Sequence, residues 1–296
     1  MKQKQIQKLI QAGKIAKQLK IFAREIIKKD IPLLEIANKI DQKILELGAK
    51  PAFPVNLSIN EIAAHSTPHP VTDTETKAHG LIKVDIGVNI DGYVADTAFS
   101  LDLENSEENK KLIQTTEEAL NNAIEKISLD TPLGKIGKII EDTIHSHNFL
   151  PIINLSGHSI EQYDLHSGIT IPNHDTKQQQ TLPEGVYAIE PFSTSGVGKV
   201  RDGKPSGIYH LEREGNVRDP FAREILNYIK EEYKTLPFCI RWLYNKFGSR
   251  VLIAMKRIEE AGLAHHYPQL IEAGNRVVAQ AEHTIILTEK EKIVTT

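Results

Sequence analysis

From Gln3 to Lys29 the apolar positions Ile6, Leu9, Ile10, Ala16, Leu19 and Ala23 return at three- and four-residue steps, with Lys and Gln between them. That spacing predicts an amphipathic helix over 3–29. A second helix is predicted from Pro32 to Leu47, with proline in its first turn and Gly48 as its stop. PAFPVNLSINEIAAH then reads as a strand and a turn leading to His65. Residues 106–127 and 132–147 are helical in pattern. After Pro151 the text changes to short strands with frequent Gly and Pro, GHSIEQYDLHSGITIP and GVYAIEPFSTSG. Helical periodicity returns over 217–262, and VVAQAEHTIILTEKEKIVTT reads as strands around a polar turn at Glu289–Lys292. Strand-rich stretches separated by helices predict an α+β domain with a helical insertion, not a doubly wound parallel sheet.

LIKVDIGVNIDGYVADTAFS, residues 81–100, alternates apolar and other residues on both sides of a central Asp-Gly. This predicts a two-residue β-hairpin turning at Asp91-Gly92. In that register Asp96 faces Gly87 and Asp85 faces Ala98. The two aspartates then share one face as diagonal neighbours, roughly 7–8 Å apart at the backbone. Val84, Ile86, Val88, Val94, Thr97 and Phe99 are expected on the opposite, core-facing side. Aspartate is disfavoured inside strands, and two converging buried carboxylates need a shared proton, an arginine or a cation. A bridging carboxylate with a neighbour suits two divalent ions about 3.5–4 Å apart. On the hairpin alone, a pair of solvent-facing aspartates on an edge is an equal alternative.

Composition narrows the field. The 296 residues are 40% hydrophobic and 25% charged, as in ordinary globular proteins, and the net charge is −3. No global field draws the chain to nucleic acid or anionic membrane. Cys239 is the single cysteine, so no intramolecular disulfide forms. No apolar run approaches the ~18 residues of a membrane span, and the basic N-terminus lacks the apolar stretch of a signal peptide. The expectation is a cytoplasmic protein.

The second half offers further ligands: His158 in SGHSI, Glu190 in YAIEPFST and Glu282 in AEHTIIL. Both glutamates lie in apolar, strand-like contexts, where an unpaired charge costs several kcal/mol. Singly, each reads more readily as a hydrogen-bonded core histidine or a strand-edge glutamate. With Asp85 and Asp96 they make one imidazole and four carboxylates, a complement suited to two metals. There is no GxSxG elbow, no HExxH helix and no Walker loop.

The order Asp, Asp, His, Glu, Glu, in the contexts VDIGVNIDGYVADTAF, GHSIEQYDLHSGITIPN, IEPFST and AEHTIIL, resembles the methionine aminopeptidases over nearly the whole chain. The insertion between Glu190 and Glu282, with TLPFCIRWL at its middle, is similar to the type II class, and the lack of a long polybasic extension to its archaeal members. One departure is His79-Gly80 where the family often has Gly-Asp before the first metal strand. The resemblance implies one pita-bread catalytic domain over 1–296, a curved antiparallel sheet with pseudo-twofold halves, and an inserted helical, winged-helix-like subdomain over 215–268. It implies removal of the N-terminal methionine from nascent proteins, with a small second residue preferred. Two divalent ions (Co, Mn, Fe or Zn) would be held by Asp85, Asp96, His158, Glu190 and Glu282, with Asp96 and Glu282 bridging. Glu190 would double as acid and base. His65 would contact the substrate near the scissile amide, His166 would stabilise the oxyanion, and Phe53 would wall the methionine pocket. The implied partners are nascent N-termini at the ribosome, with no membrane, no specific nucleic acid and a monomeric chain. The competing expectations are a pita-bread ribosome- or nucleic-acid-binding protein without peptidase activity, and an X-Pro aminopeptidase. The insertion, with nine Lys/Arg and six Asp/Glu over 218–260, reads more readily as a packing subdomain than as a nucleic-acid binder.

Overall fold

A computed structural model describes residues 1–296. The first half runs through helices α1 (Gln3–Ile26) and α2 (Leu33–Glu46), then strands β1 (Lys50–Pro51), β2 (Asn56–Ile59) and β3 (Ile62–Ala64). It ends in the hairpin β4 (Leu81–Ile90) and β5 (Tyr93–Asp102). The second half repeats the plan with α3 (Glu107–Lys126), α4 (Leu133–Ser146), β6 (Leu150–Pro151), β7 (Ser156–Ile160), β8 (Thr170–Pro172), β9 (Gly185–Ile189) and β10 (Phe192–Thr194). A long arm, β11 (Val200–Leu211), leads into α5 (Pro220–Glu232), β12 (Phe238–Cys239), α6 (Ile240–Phe247) and α7 (Val251–Glu260). The chain returns along β13 (Ala264–Glu272) and closes with β14 (Val278–Gln280), β15 (His283–Leu287) and β16 (Lys292–Val294).

The duplication is written in the residues. Pro32-Leu33, Ile36, Ile40, Ile44 and Pro51 recur as Pro132-Leu133, Ile136, Ile140, Ile144 and Pro151. In each half these isoleucines form the buried stripe of a 14-residue helix whose N-cap is the proline. The chain then turns into a two-residue strand, β1 pairing with β4 and β6 with β10, both antiparallel. Each half has its own core: α1 and α2 pack on Val84, Ile86 and Val88, and α3 and α4 pack on Tyr187, Ile189 and Ile285. Each fully buried Ile or Leu contributes about 1.5–3 kcal/mol against leaving it exposed. Every strand pairing is antiparallel, and the strands curl into the half-barrel of the pita-bread fold.

The hairpin forms in the expected register, with Asp85 opposite Ala98 and Gly87 opposite Asp96. Asp91 and Gly92 take the left-handed φ values (51° and 82°) that a two-residue turn requires. One side chain departs from expectation. Val94 pairs with Asn89, so it lies on the aspartate face and packs with Phe53 and Leu165, away from the helical core. Strands β11 and β13 are a second departure, since neither is visible in the alternation of the sequence. Gly203, Pro205 and Gly207 interrupt the first and Pro268 the second, and the ladder tolerates them through register shifts at Asp202/Pro205 and Pro205/Tyr209.

Helices α5, α6 and α7 share a core with Phe238 and Tyr209. They are tied to the first half by Arg241, whose side chain is wholly buried and ion-pairs with Asp41 of α2. The same Asp41 oxygen accepts the Trp242 indole N–H at 2.6 Å, and Arg241 also reaches Thr67 Oγ1 at 3.3 Å. A buried ion pair that loses one partner leaves an uncompensated charge, which costs about 3–5 kcal/mol. Asp41→Ala is therefore expected to lower the urea-unfolding free energy by that amount; a loss below about 1 kcal/mol would contradict the clamp.

Candidate metal centre

The hairpin presents Asp85 and Asp96 to a cavity of about 300 Å³, and the second half closes over it with His158 from β7, Glu190 just after β9 and Glu282 between β14 and β15. Backbone closure aligns the two halves. Glu282 N–H donates to Ala98 O at 3.0 Å, and Thr97 Oγ1 donates to Glu282 O at 2.9 Å. Thr284 Oγ1 accepts from Asp96 N–H and donates to Asp96 O, each at 2.8 Å. Asp96 and Glu282 are thereby held on either side of the line where the halves meet.

Donor atoms of Asp96, His158 and Glu282 all lie within 4.8 Å of one another. His158 Nε2 is 3.4 Å from Glu190 Oε1 and 3.7 Å from Asp96 Oδ2. Asp85 stands at the outer side of this group, where the Gln280 side-chain amide donates to its Oδ2 at 3.3 Å. Gly87 lies between the aspartates along the face, and any Cβ there would run into the Phe53 ring. Phe53 thus packs against the hairpin at Gly87 and forms one wall of the cavity.

The electrostatics are those of a site short of positive charge. Burial first, then the charges of Asp85 and Glu190, push the Asp96 carboxyl well above its usual range. Glu190 and Glu282 are raised for the same two reasons, burial before repulsion. Asp85 is pushed up to about 7, chiefly by burial. No arginine or lysine pairs with any of them; Lys20 reaches Glu282 only as a weak lowering influence. Asp85 Oδ1, Asp96 Oδ1 and Glu282 Oε1 are buried without a hydrogen-bond partner. Buried polar atoms are normally partnered. Orphaned carboxylate oxygens beside an imidazole held neutral by burial, its pKa lowered to about 3, are the donor set that divalent transition metals take.

His166 and His65 line the same cavity as the carboxylate–imidazole cluster. The His166 ring stands edge-on to His158 with centroids 4.3 Å apart, exposed at the cavity mouth. Surrounding protein, and then His210, lower its pKa. His65 takes a left-handed φ of 55° at the end of β3, and burial lowers its pKa to about 4. The paired strands β11 and β13 supply groups that no motif had singled out. Tyr267 of β13 lines the cavity 5.3 Å from the His65 ring, and His210 of β11 lies 5.1 Å from Tyr267. Gln280, likewise unremarked, sits two residues before Glu282 and is almost wholly buried.

A buried carboxylate–imidazole cluster that could hold a metal ion lies at the seam of two duplicated halves, and this chain belongs to metallopeptidase family M24, whose pattern matches residues 7–289. It is a metal-dependent aminopeptidase. It is 47% identical over 297 residues to a methionine aminopeptidase of Pyrococcus abyssi, covering 98% of this chain and 99% of that one. To the methionine aminopeptidase of Methanocaldococcus jannaschii it is 42% identical, covering 98% of each. Among solved structures, a methionine aminopeptidase of Thermotoga maritima superposes with a TM-score of 0.72 at 22% identity, over all of this chain and 98% of that one; at that identity the match speaks for the fold alone.

The raised carboxyls set a pH dependence. A folded-state pKa near 7 for Asp85, against about 3.9 unfolded, means the folded metal-free chain holds a proton the unfolded chain has lost. Stability of the metal-free protein therefore falls as pH rises from about 4 through 7. An ion that took Asp85 as a ligand would displace that proton, and its affinity would rise over the same window. The gap between unfolding midpoints with excess Mn²⁺ and with a chelator is expected to be wider at pH 8 than at pH 5. An equal gap at both pH values would contradict the assignment.

Proposed function

We propose that this aminopeptidase removes the N-terminal methionine from nascent proteins, preferring a small second residue, with two divalent ions drawn from Co, Mn, Fe and Zn. The observation that carries the reading is the convergence of Asp85, Asp96, His158, Glu190 and Glu282, with orphaned oxygens, beside an apolar wall. Asp85 and Asp96 would hold one ion and Asp96, His158, Glu190 and Glu282 the other, Asp96 and Glu282 lying in both sets. When bound, such ions polarise a carbonyl and lower the pKa of water toward neutrality.

The chain's own groups do the rest. Glu190, beside His158 and with its pKa raised by burial, takes a proton from the attacking water and returns it to the departing amine. His166 at the cavity mouth donates a hydrogen bond to the developing oxyanion, and His65 orients the scissile amide. Phe53, Leu165, Ile208 and Leu270 offer the methionine side chain an apolar surface. A free substrate amine placed against the carboxylate cluster restricts cleavage to one terminal residue. In this reading residues 215–268 are an inserted helical subdomain of one catalytic domain, and the protein acts as a cytoplasmic monomer on chains leaving the ribosome. No helix is long and apolar enough to cross a membrane.

With added Mn²⁺ or Co²⁺ the purified protein is expected to release methionine from a Met-Ala or Met-Gly peptide. Release of the first residue from X-Pro peptides instead, or no turnover with any metal, would overturn the reading. Asp96→Asn is expected to abolish activity and metal binding while unfolding stays cooperative. Removing one oxyanion donor costs roughly 10²–10³ in kcat, so His166→Ala should fall in that range with KM little changed; an unaltered kcat would remove its role.

A further inference from the structure

Outside the cavity, β11 and β13 carry metal-type side chains that the peptidase chemistry leaves unused. His210 and His265 are directly opposed across the antiparallel ladder, so they share one face. Glu212 follows two residues after His210 on that face, with its Oε2 3.1 Å from His210 Nε2. None of the three lines the cavity. His266, next in the chain, is already engaged on the opposite face. Its Nε2 accepts the Gly207 N–H at 2.9 Å, and its ring stacks on Tyr209 with centroids 4.0 Å apart.

Ring spacing and an unpartnered nitrogen separate this pair from ordinary surface histidines. Two imidazoles that share a tetrahedral ion, each nitrogen about 2.0–2.1 Å from it, have ring centres about 5 Å apart. The His210 and His265 centroids are 5.3 Å apart. His210 Nδ1 is buried with no hydrogen-bond partner, while its other nitrogen faces the Glu212 carboxylate. A metal-ligating histidine is held in this way, with one nitrogen on a carboxylate and the other left for the ion. His265 is exposed, so its ring is free to turn a nitrogen toward the same ion.

We propose that His210 and His265 form a peripheral site for a divalent transition ion, Zn²⁺ above all, with Glu212 orienting His210 and water completing the coordination. Imidazole ligands suit Zn, Cu and Ni, whereas carboxylate-rich sets suit Mn, so this site and the buried cluster differ in class. The His210 ring lies 5.1 Å from Tyr267, which lines the cavity 5.3 Å from the His65 ring. An ion held here sets two positive charges beside the cavity, one aromatic side chain removed from His65. The inference does not depend on which peptide the enzyme cleaves.

The test is equilibrium dialysis of the full chain against Zn²⁺, with the bound metal counted by elemental analysis. His265→Ala is expected to bind one Zn²⁺ fewer per chain than the unmodified protein, with unfolding still cooperative. Glu212→Gln is expected to keep the site but weaken it about 10–100-fold, a loss that a merely structural Glu212 would not cause. His145→Ala/His147→Ala, which removes another histidine pair from the end of α4, is expected to leave the count unchanged. With Cu²⁺ as the probe, electron paramagnetic resonance is expected to show a two-imidazole signal that His265→Ala removes. Equal Zn²⁺ counts for the unmodified chain and His265→Ala would overturn the proposal. So would an equal loss in His145→Ala/His147→Ala, which would mark the binding as non-specific.

Discussion

Four carboxylates gathered out of water must be neutralised, and the rest of the structure is arranged around that requirement. Asp85, Asp96, Glu190 and Glu282 are raised above their usual pKa values by burial, and three of them further by one another. No arginine or lysine pairs with them, and three of their oxygens have no partner. Protonation is one way out and divalent cations are the other. The second way turns an energetic liability into catalytic chemistry, because ions that relieve the repulsion also acidify water and draw electrons from a carbonyl.

The duplicated fold makes such a gathering possible. Neither half gathers the cluster alone: the first contributes the hairpin aspartates, the second the imidazole and two glutamates. They meet along a seam where Thr97, Thr284 and the Glu282 backbone bridge the halves by hydrogen bonds of 2.8–3.0 Å. The cavity therefore depends on packing the two halves together correctly. Arg241, clamped to Asp41 from the inserted helices, ties the region beyond Glu190 back to the first half.

Much of this was legible in the residues, for reasons that can be named. The Asp91-Gly92 turn sets the hairpin register, and the period of two then puts both aspartates on one face. The four long helices of the two halves were legible from apolar spacing, within a few residues at each end. Val94 was assigned to the wrong side because its face follows from its partner Asn89 across the ladder, not from its apolar character. Strands β11 and β13 were illegible because Gly203, Pro205, Gly207 and Pro268 break the alternation that bulges then absorb. With those strands went Tyr267 and His210. The hundred-residue recurrence of Pro-Leu and isoleucine was present in the sequence, and it is the signal that would have exposed the duplication directly. The Arg241–Asp41 pair could not be read at all, since two hundred residues separate partners that only the folded chain brings together.

The central claim is that these carboxylates enclose a pair of cations. Anomalous scattering from crystals grown with Mn²⁺ tests it most directly. Two peaks about 3.5–4 Å apart, enclosed by Asp85, Asp96, His158, Glu190 and Glu282, are the result the account predicts. Crystals with no ordered metal among those five side chains at saturating Mn²⁺ would contradict it.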